Sequence, residues 1–245
     1  MKKLFISLLA AASLATPALA NKNPVLNQKV SSGDVVGNGA MAEPQVTPFT
    51  PEATGCMILR ECTDGVTQVF SILNVSSRYS DPDRYNIIAD EFNYMLMYLT
   101  QIGVEVFIAN PEYFGIGHRG LYHSKYNKFF LNSDFMGRPS ALMSVMRHEG
   151  WHAAQDCMAG TIDNNFIALI KPEEDVPQFW QDVTKKTYAG SPALIWEKEA
   201  MWAGHTEGMT LDALQACASP KPMLETYEPT PLTRKYLIDF GFIEE

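Results

Sequence analysis

The chain has 245 residues and a formal charge of −9, with 28 acidic side chains against 19 basic ones. Nothing in it resembles a basic patch, which excludes nucleic acid as a partner, while the acidic balance favours solubility without naming a substrate. At this length one domain with a sizeable core is expected, and no apolar run beyond the N-terminus approaches the roughly 18 residues of a membrane span.

In chain order, the first 20 residues read as a secretory signal peptide. Lys2 and Lys3 give a basic start, residues 4–15 an apolar stretch, and Ala18-Leu19-Ala20 a small-x-small cleavage site. Cleavage after Ala20 takes the formal charge from −9 to −11, because Lys2 and Lys3 leave with the leader. The expected product is secreted or periplasmic. Residues 21–55, rich in Pro, Gly, Asn, Ser and Thr without apolar periodicity, predict an irregular N-terminal arm, with a pro-segment as the alternative. The remaining domain runs over 56–245.

Four cysteines follow: Cys56, Cys62, Cys157 and Cys217. Export permits disulfides, and the absence of C-x-x-C spacing argues against a zinc knot. We expect Cys56–Cys62 as a local closure and Cys157–Cys217 as a long-range staple. Cys56 as a removable thiolate cap on a metal is a further option.

Residues 66–75 predict a strand from their β-branched content. Ser80-Asp81-Pro82 then opens a helix whose apolar positions Ile88, Phe92, Met95, Leu96, Leu99 and Ile102 recur at helical spacing, stopped by Gly103. Residues 104–108 form a short strand. After the bend Gly115-Ile116-Gly117, residues 126–131 predict a second strand. Arg138-Pro139-Ser140 opens a long helix closed by Gly160, and four more helices are expected near 176–187, 192–204, 211–218 and 232–240. This order of elements predicts an α+β fold with one small sheet and a mostly helical C-terminal part.

The long helix carries the chemistry. HEGWH, residues 148–152, sets two histidines four apart, so His148 and His152 leave the same face one turn apart and can reach one metal ion. Glu149 lies between them, placed to act on a metal-bound water. A charged Glu149 inside a largely apolar helix needs a partner, because burying it alone is costly. Catalytic zinc takes three protein ligands, and Gln155 and Met158 stand where a His-x-x-Gly-x-x-His continuation would need Gly and His. The third ligand is therefore sought in a later helix, where Ile195–Gly204 offers Glu197 and Glu199.

With that motif and the later glutamates, the stretch 81–204 resembles the gluzincin branch of the zincin metallopeptidases. The resemblance implies a zincin-like single domain, a small mixed sheet packed on the HExxH helix, and one zinc ion held by His148, His152 and a glutamate. Related zincins often have a small residue three after the ligand, where the two helices pack closely. Ala200 gives Glu197 that neighbour, whereas Glu199 would have Trp202. Many such enzymes also place an Asp four after the ligand glutamate to orient a histidine; here that position is Met201. The resemblance further implies hydrolysis of peptide bonds, with Glu149 as general base, residues 126–131 as the edge strand that pairs an extended substrate, and an oxyanion donor among His205, Tyr188 and Tyr227.

The other features have plainer explanations. His118 and His123, in a Gly-rich connection, are expected at the surface or in hydrogen bonds, and Trp151, Trp196 and Trp202 in helix packing. Asn74-Val75-Ser76 matches a glycosylation sequon, too short a pattern to carry weight alone. The function expected is that of a monomeric exported zinc peptidase acting on peptides or proteins. The alternative is a catalytically inactive zincin-like domain that binds zinc or a protein partner. A di-iron carboxylate protein would need two Glu-x-x-His elements, and only one is present.

Overall fold

The computed structural model of the chain describes residues 50–160, 166–221 and 223–244. The expected signal peptide and nearly all of the expected N-terminal arm lie outside these. The arm's last residues are already helical: Pro51–Ile58 forms α1, with Thr50 capping it by accepting from the Ala53 N–H at 3.2 Å and Pro51 in the first turn. Cys56, on α1, is bonded to Cys62 and closes the turn that follows, so it cannot serve as a thiolate cap on a metal.

The strand expected over 66–75 is cut short. Only Thr67–Gln68 (β1) pairs in the sheet, and the chain then turns into a short helix, Ile72–Ser76 (α2). Asn74 explains the change. Its Oδ1 accepts from the Phe70 and Ser71 N–H groups at 2.9 and 3.0 Å, a local bond that competes with the ladder. Between Pro82 and Ile88 the backbone winds as a 3-10 helix, and the α-helical part, α3, covers Ala89–Gln101. Gly103, at φ +86°, ends it as anticipated.

One four-stranded mixed sheet follows. Its strands are β1, β2 (Glu105–Ala109), β3 (Gly120–His123) and β4 (Lys128–Asn132), ordered β1-β2-β4-β3. β2 and β4 run parallel, while β1 and β3 are the antiparallel edges. This corrects two expectations. β3 was not anticipated, and the strand expected at 126–131 is an interior strand over 128–132. Lys128–Asn132 pairs β2 on one side and β3 on the other, and all five of its residues are buried. Phe129 and Leu131 join Val106, Ile108 and Tyr122 on the face that meets the helices. Phe130 joins Phe107 and Leu121 on the other face, under Met57 and Ile58 of α1.

The long helix α4, Pro139–Met158, is central: it packs on β3, on α3, and on α6 (Leu194–Gly204) and α7 (Met209–Cys217). Burial on nearly every side explains why its sequence shows no clean apolar stripe. The Cys157–Cys217 disulfide joins the ends of α4 and α7. Helices α5 (Gln178–Thr187) and α8 (Pro231–Asp239) complete the mostly helical C-terminal part. Among the described residues no helix is long and apolar enough to cross a membrane.

Candidate metal centre

α4 and α6 approach closely because α6 presents small residues to α4. Ala200 and Ala203 are fully buried. A Cβ on Gly204 would lie 3.1 Å from the Ser144 carbonyl and 3.2 Å from the His148 Cβ. Glu197, Ala200 and Gly204 are spaced i, i+3, i+7, so the stripe that lets the helices touch also aims Glu197 at α4. There it meets both histidines of HEGWH. Glu197 Oε2 lies 3.2 Å from His148 Nε2, and Glu197 Oε1 lies 3.6 Å from His152 Nε2.

One ligand atom from each of His148, His152 and Glu197 falls within 4.8 Å of the others, so the group could hold a metal ion. Tetrahedral ligands at zinc-like bond lengths sit roughly 3.3 Å apart, within that spread. The polar atoms themselves support the fit. His148 Nε2, His152 Nε2 and both Glu197 oxygens are buried without a well-formed hydrogen bond. Buried polar atoms in native proteins are nearly always satisfied, so a convergent unsatisfied set marks the place of something that satisfies it.

Charge within the set is strongly perturbed. Burial opposes a charge on His152, but the Glu197 carboxylate outweighs it and pushes the imidazole up to about 9. Burial likewise opposes ionisation of Glu197, yet the two imidazoles hold its carboxyl far below the usual carboxylate range. A cation satisfies the same carboxylate without needing the imidazole proton.

Glu149 lies on the other flank of α4, only 2% exposed, and its Oε2 accepts from the Tyr122 N–H of β3 at 2.9 Å. Burial raises its carboxyl above the ordinary value, while the neighbouring imidazoles pull it down. Gly120 makes this contact possible. A Cβ there would stand 2.6 Å from Val145 Cγ1 and 2.9 Å from Glu149 Cγ, so only glycine lets β3 lie against α4. Tyr122 ties the strand to the helix twice, since its hydroxyl donates to Asp156 Oδ2 at 2.6 Å.

Glu199, the other candidate ligand, points elsewhere. Its Oε2 accepts from Trp151 Nε1 at 3.0 Å, Gln155 Nε2 at 2.7 Å and the Ile170 N–H at 3.2 Å, and its Oε1 accepts from the Lys171 N–H at 2.7 Å. Gln155 in turn lies 2.8 Å from His152 Nδ1 through its Oε1. Neither Gln155 nor this use of Glu199 was anticipated. The available signal was spacing: Gln155 follows His152 by three and shares its helix face.

Of the three oxyanion candidates, His205 has His148 among its electrostatic neighbours. Its Nδ1 lies 2.9 Å from the Met201 carbonyl and its ring stacks on Trp180 with centroids 4.3 Å apart. Tyr227 instead sits beneath Lys171 Nζ at 5.2 Å, and Tyr188 is buried just past α5. The Asn132 side-chain amide donates to the His118 backbone carbonyl at 2.8 Å, and the His123 ring packs on that of Tyr126, its Nδ1 buried without a hydrogen-bond partner among the described residues. No protein-family model matches the chain, and no curated protein or solved structure matches it significantly.

Proposed function

We propose that the chain is an exported zinc-dependent peptidase of gluzincin type. One observation carries the proposal: three ligand-type side chains from two helices converge with their buried polar atoms unsatisfied, beside a buried glutamate held by the edge strand β3. His148, His152 and Glu197 would hold the ion. Zinc there supplies Lewis-acid polarisation of the scissile carbonyl and a water of lowered pKa.

The remaining steps belong to the protein. Glu149 accepts a proton from the attacking water and delivers it to the leaving amine. The edge strand that pairs the substrate is β3, not the interior β4. Asn132 N–H donates to the Arg119 carbonyl, and Gly120 faces Leu131 in register. Hydrogen-bonded pairs alternate in an antiparallel ladder, so the polar backbone groups of Gly120 and Tyr122 point away from β4. The Tyr122 N–H is the one that holds Glu149, which leaves the Gly120 N–H and the two carbonyls to pair an extended peptide alongside the base. His205 is the least suited as a charged oxyanion donor, because its Nδ1 must donate to the Met201 carbonyl and burial pushes the imidazole down, so the oxyanion donor is left unassigned.

Glu149→Gln tests the assignment. It keeps the shape and the ligands and removes the proton acceptor. We expect retained zinc by elemental analysis and a loss of at least about 100-fold in cleavage of a peptide library, the lower range for a positioned acid–base group. A chelator should abolish cleavage by the wild type. Equal cleavage by the two proteins, or zinc bound by both with no cleavage by either, overturns the proposal, and the second result favours a non-catalytic zinc-binding domain.

A further inference from the structure

The position at which related enzymes carry a histidine-orienting Asp is Met201 in this chain, and a methionine side chain cannot accept strongly from an imidazole N–H. We infer that Gln155 and Glu199 replace it: a two-residue relay that fixes the tautomer and orientation of His152. It rests on the zinc assignment, because His152 matters here as a ligand.

The donor and acceptor order permits one arrangement. Glu199 meets donors on both oxygens: the Trp151 indole N–H, the Ile170 and Lys171 backbone N–H groups and the Gln155 amide. Its carboxylate therefore acts only as an acceptor. Facing that acceptor, Gln155 must present its NH2 to Glu199, with a second, longer bond of 3.3 Å to the Trp196 carbonyl. Its carbonyl oxygen then necessarily faces His152 Nδ1, 2.8 Å away. An oxygen there requires Nδ1 to carry a proton, so that in the neutral, metal-binding imidazole Nε2 keeps the lone pair on the side of Glu197 and His148. A flipped amide would enforce the opposite tautomer and block Nε2. Glu199, without touching the site, thus decides which way Gln155 points. The relay also spans three parts of the fold, since Trp151, Gln155 and His152 lie on α4, Glu199 on α6, and Ile170 and Lys171 in the segment between α4 and α5.

Both are positioning residues. The test is zinc affinity, measured by competition with a chromophoric chelator on the full mature chain, and it does not require turnover. Gln155→Leu removes the acceptor and should weaken zinc binding by about 10–100-fold, the usual effect of losing an outer hydrogen-bond partner of a metal-bound histidine. In the zinc-loaded wild type the His152 Nδ1–H should exchange slowly with solvent by NMR, and in Gln155→Leu that protection should be lost. Glu199→Leu should weaken zinc similarly, while Glu199→Gln, which can keep an oxygen facing Trp151, Gln155 and Ile170 and gives up only the bond from the Lys171 N–H, should lose clearly less than Gln155→Leu. Where Glu199→Leu fails to fold, Gln155→Leu and Glu199→Gln decide. Unchanged affinity and unchanged N–H protection in Gln155→Leu overturn the relay, as does a Glu199→Gln loss equal to that of Gln155→Leu. Weakened zinc in a protein that cleaves nothing upholds the relay and removes the peptidase assignment; normal cleavage with unchanged affinity does the reverse.

Discussion

Two glutamates two residues apart on α6 occupy opposite situations. Glu199 sits among donors, and its two oxygens accept four hydrogen bonds between them. Glu197 is equally buried, yet its oxygens face two imidazole nitrogens without a well-formed hydrogen bond. Desolvating a carboxylate costs several kcal/mol unless something compensates. In one case the backbone and the indole compensate. In the other the carboxylate faces two histidines in a group that could hold a metal ion. The difference teaches how to separate a structural buried acid from a ligand: count the donors already aimed at it.

A crossed pair of substitutions breaks this contrast most sharply. Glu199→Leu strands the Trp151, Gln155, Ile170 and Lys171 donors in a buried setting. Each stranded donor costs about 1–3 kcal/mol, so the chelated protein should lose at least about 3 kcal/mol in urea unfolding. Measured near pH 9, where the histidines have shed the protons that pair with it, Glu197→Leu in the chelated protein should cost little. Zinc affinity should order the two the other way, with Glu197→Leu losing more than the 10–100-fold typical of outer partners. Equal unfolding costs for both variants would remove the distinction.

The next effect is smaller and lies in the pH dependence of the metal-free protein. His152 binds its proton more tightly when folded, with its imidazole pushed up to about 9 by Glu197. That contribution is complete below the unfolded value near 6.5 and is lost as pH rises through about 9. The Glu197 carboxyl is depressed, so its contribution is present above the unfolded value near 4.5 and fades as pH falls below it. Chelated protein should therefore be most stable between about pH 4.5 and 6.5 and weaken by roughly 1–3 kcal/mol toward pH 9. Subtracting the profile of Glu197→Leu isolates the pair from the other buried carboxyls. Zinc reverses the slope, because binding displaces the His152 proton and tightens as pH rises. A flat difference profile in the chelated protein contradicts the linkage.

Much of the candidate site was legible because it depends on local spacing. His148, Glu149 and His152 follow from one turn of helix, and the resemblance to zincins favoured Glu197 over Glu199 through the small residue Ala200 three positions on. Both disulfides followed from chain proximity and from the elements that had to be tied together. What stayed hidden depends on tertiary approach. β3 is four residues long and opens on a glycine whose purpose is visible only once Val145 and Glu149 stand against it. The Glu199–Gln155 relay needs backbone groups from residues 170 and 171, brought in by a connection with no periodicity to read. The order of β3 and β4 was hidden as well, because the edge strand β3 is buried at Gly120, Leu121 and Tyr122 much as the interior β4 is. The strand expected over 66–75 failed on a capping residue, Asn74, whose local bond outweighs β-propensity.

The smallest effect sharpens the contrast at the helix contact itself. Gly204 lies two turns after Glu197 and faces the backbone from which His148 projects. In isolation Gly→Ala within a helix stabilises by roughly 0.5–1 kcal/mol. Here the added methyl would sit 3.1 Å from the Ser144 carbonyl oxygen and 3.2 Å from the His148 Cβ, and neither is the flexible end of a side chain. The helices must separate by a few tenths of an ångström, and overpacking of this kind typically costs 1–3 kcal/mol. The two contributions nearly offset, leaving a net loss of about 1 kcal/mol in the chelated protein. The metal site lacks that offset, because the displacement separates His148 from Glu197 directly. Gly204→Ala should therefore weaken zinc by a few-fold while leaving the Glu199 hydrogen bonds, and hence the slow exchange of the Trp151 indole N–H, unchanged. An unchanged zinc affinity alongside the stability loss would show that the contact supports the fold without setting the ligand geometry.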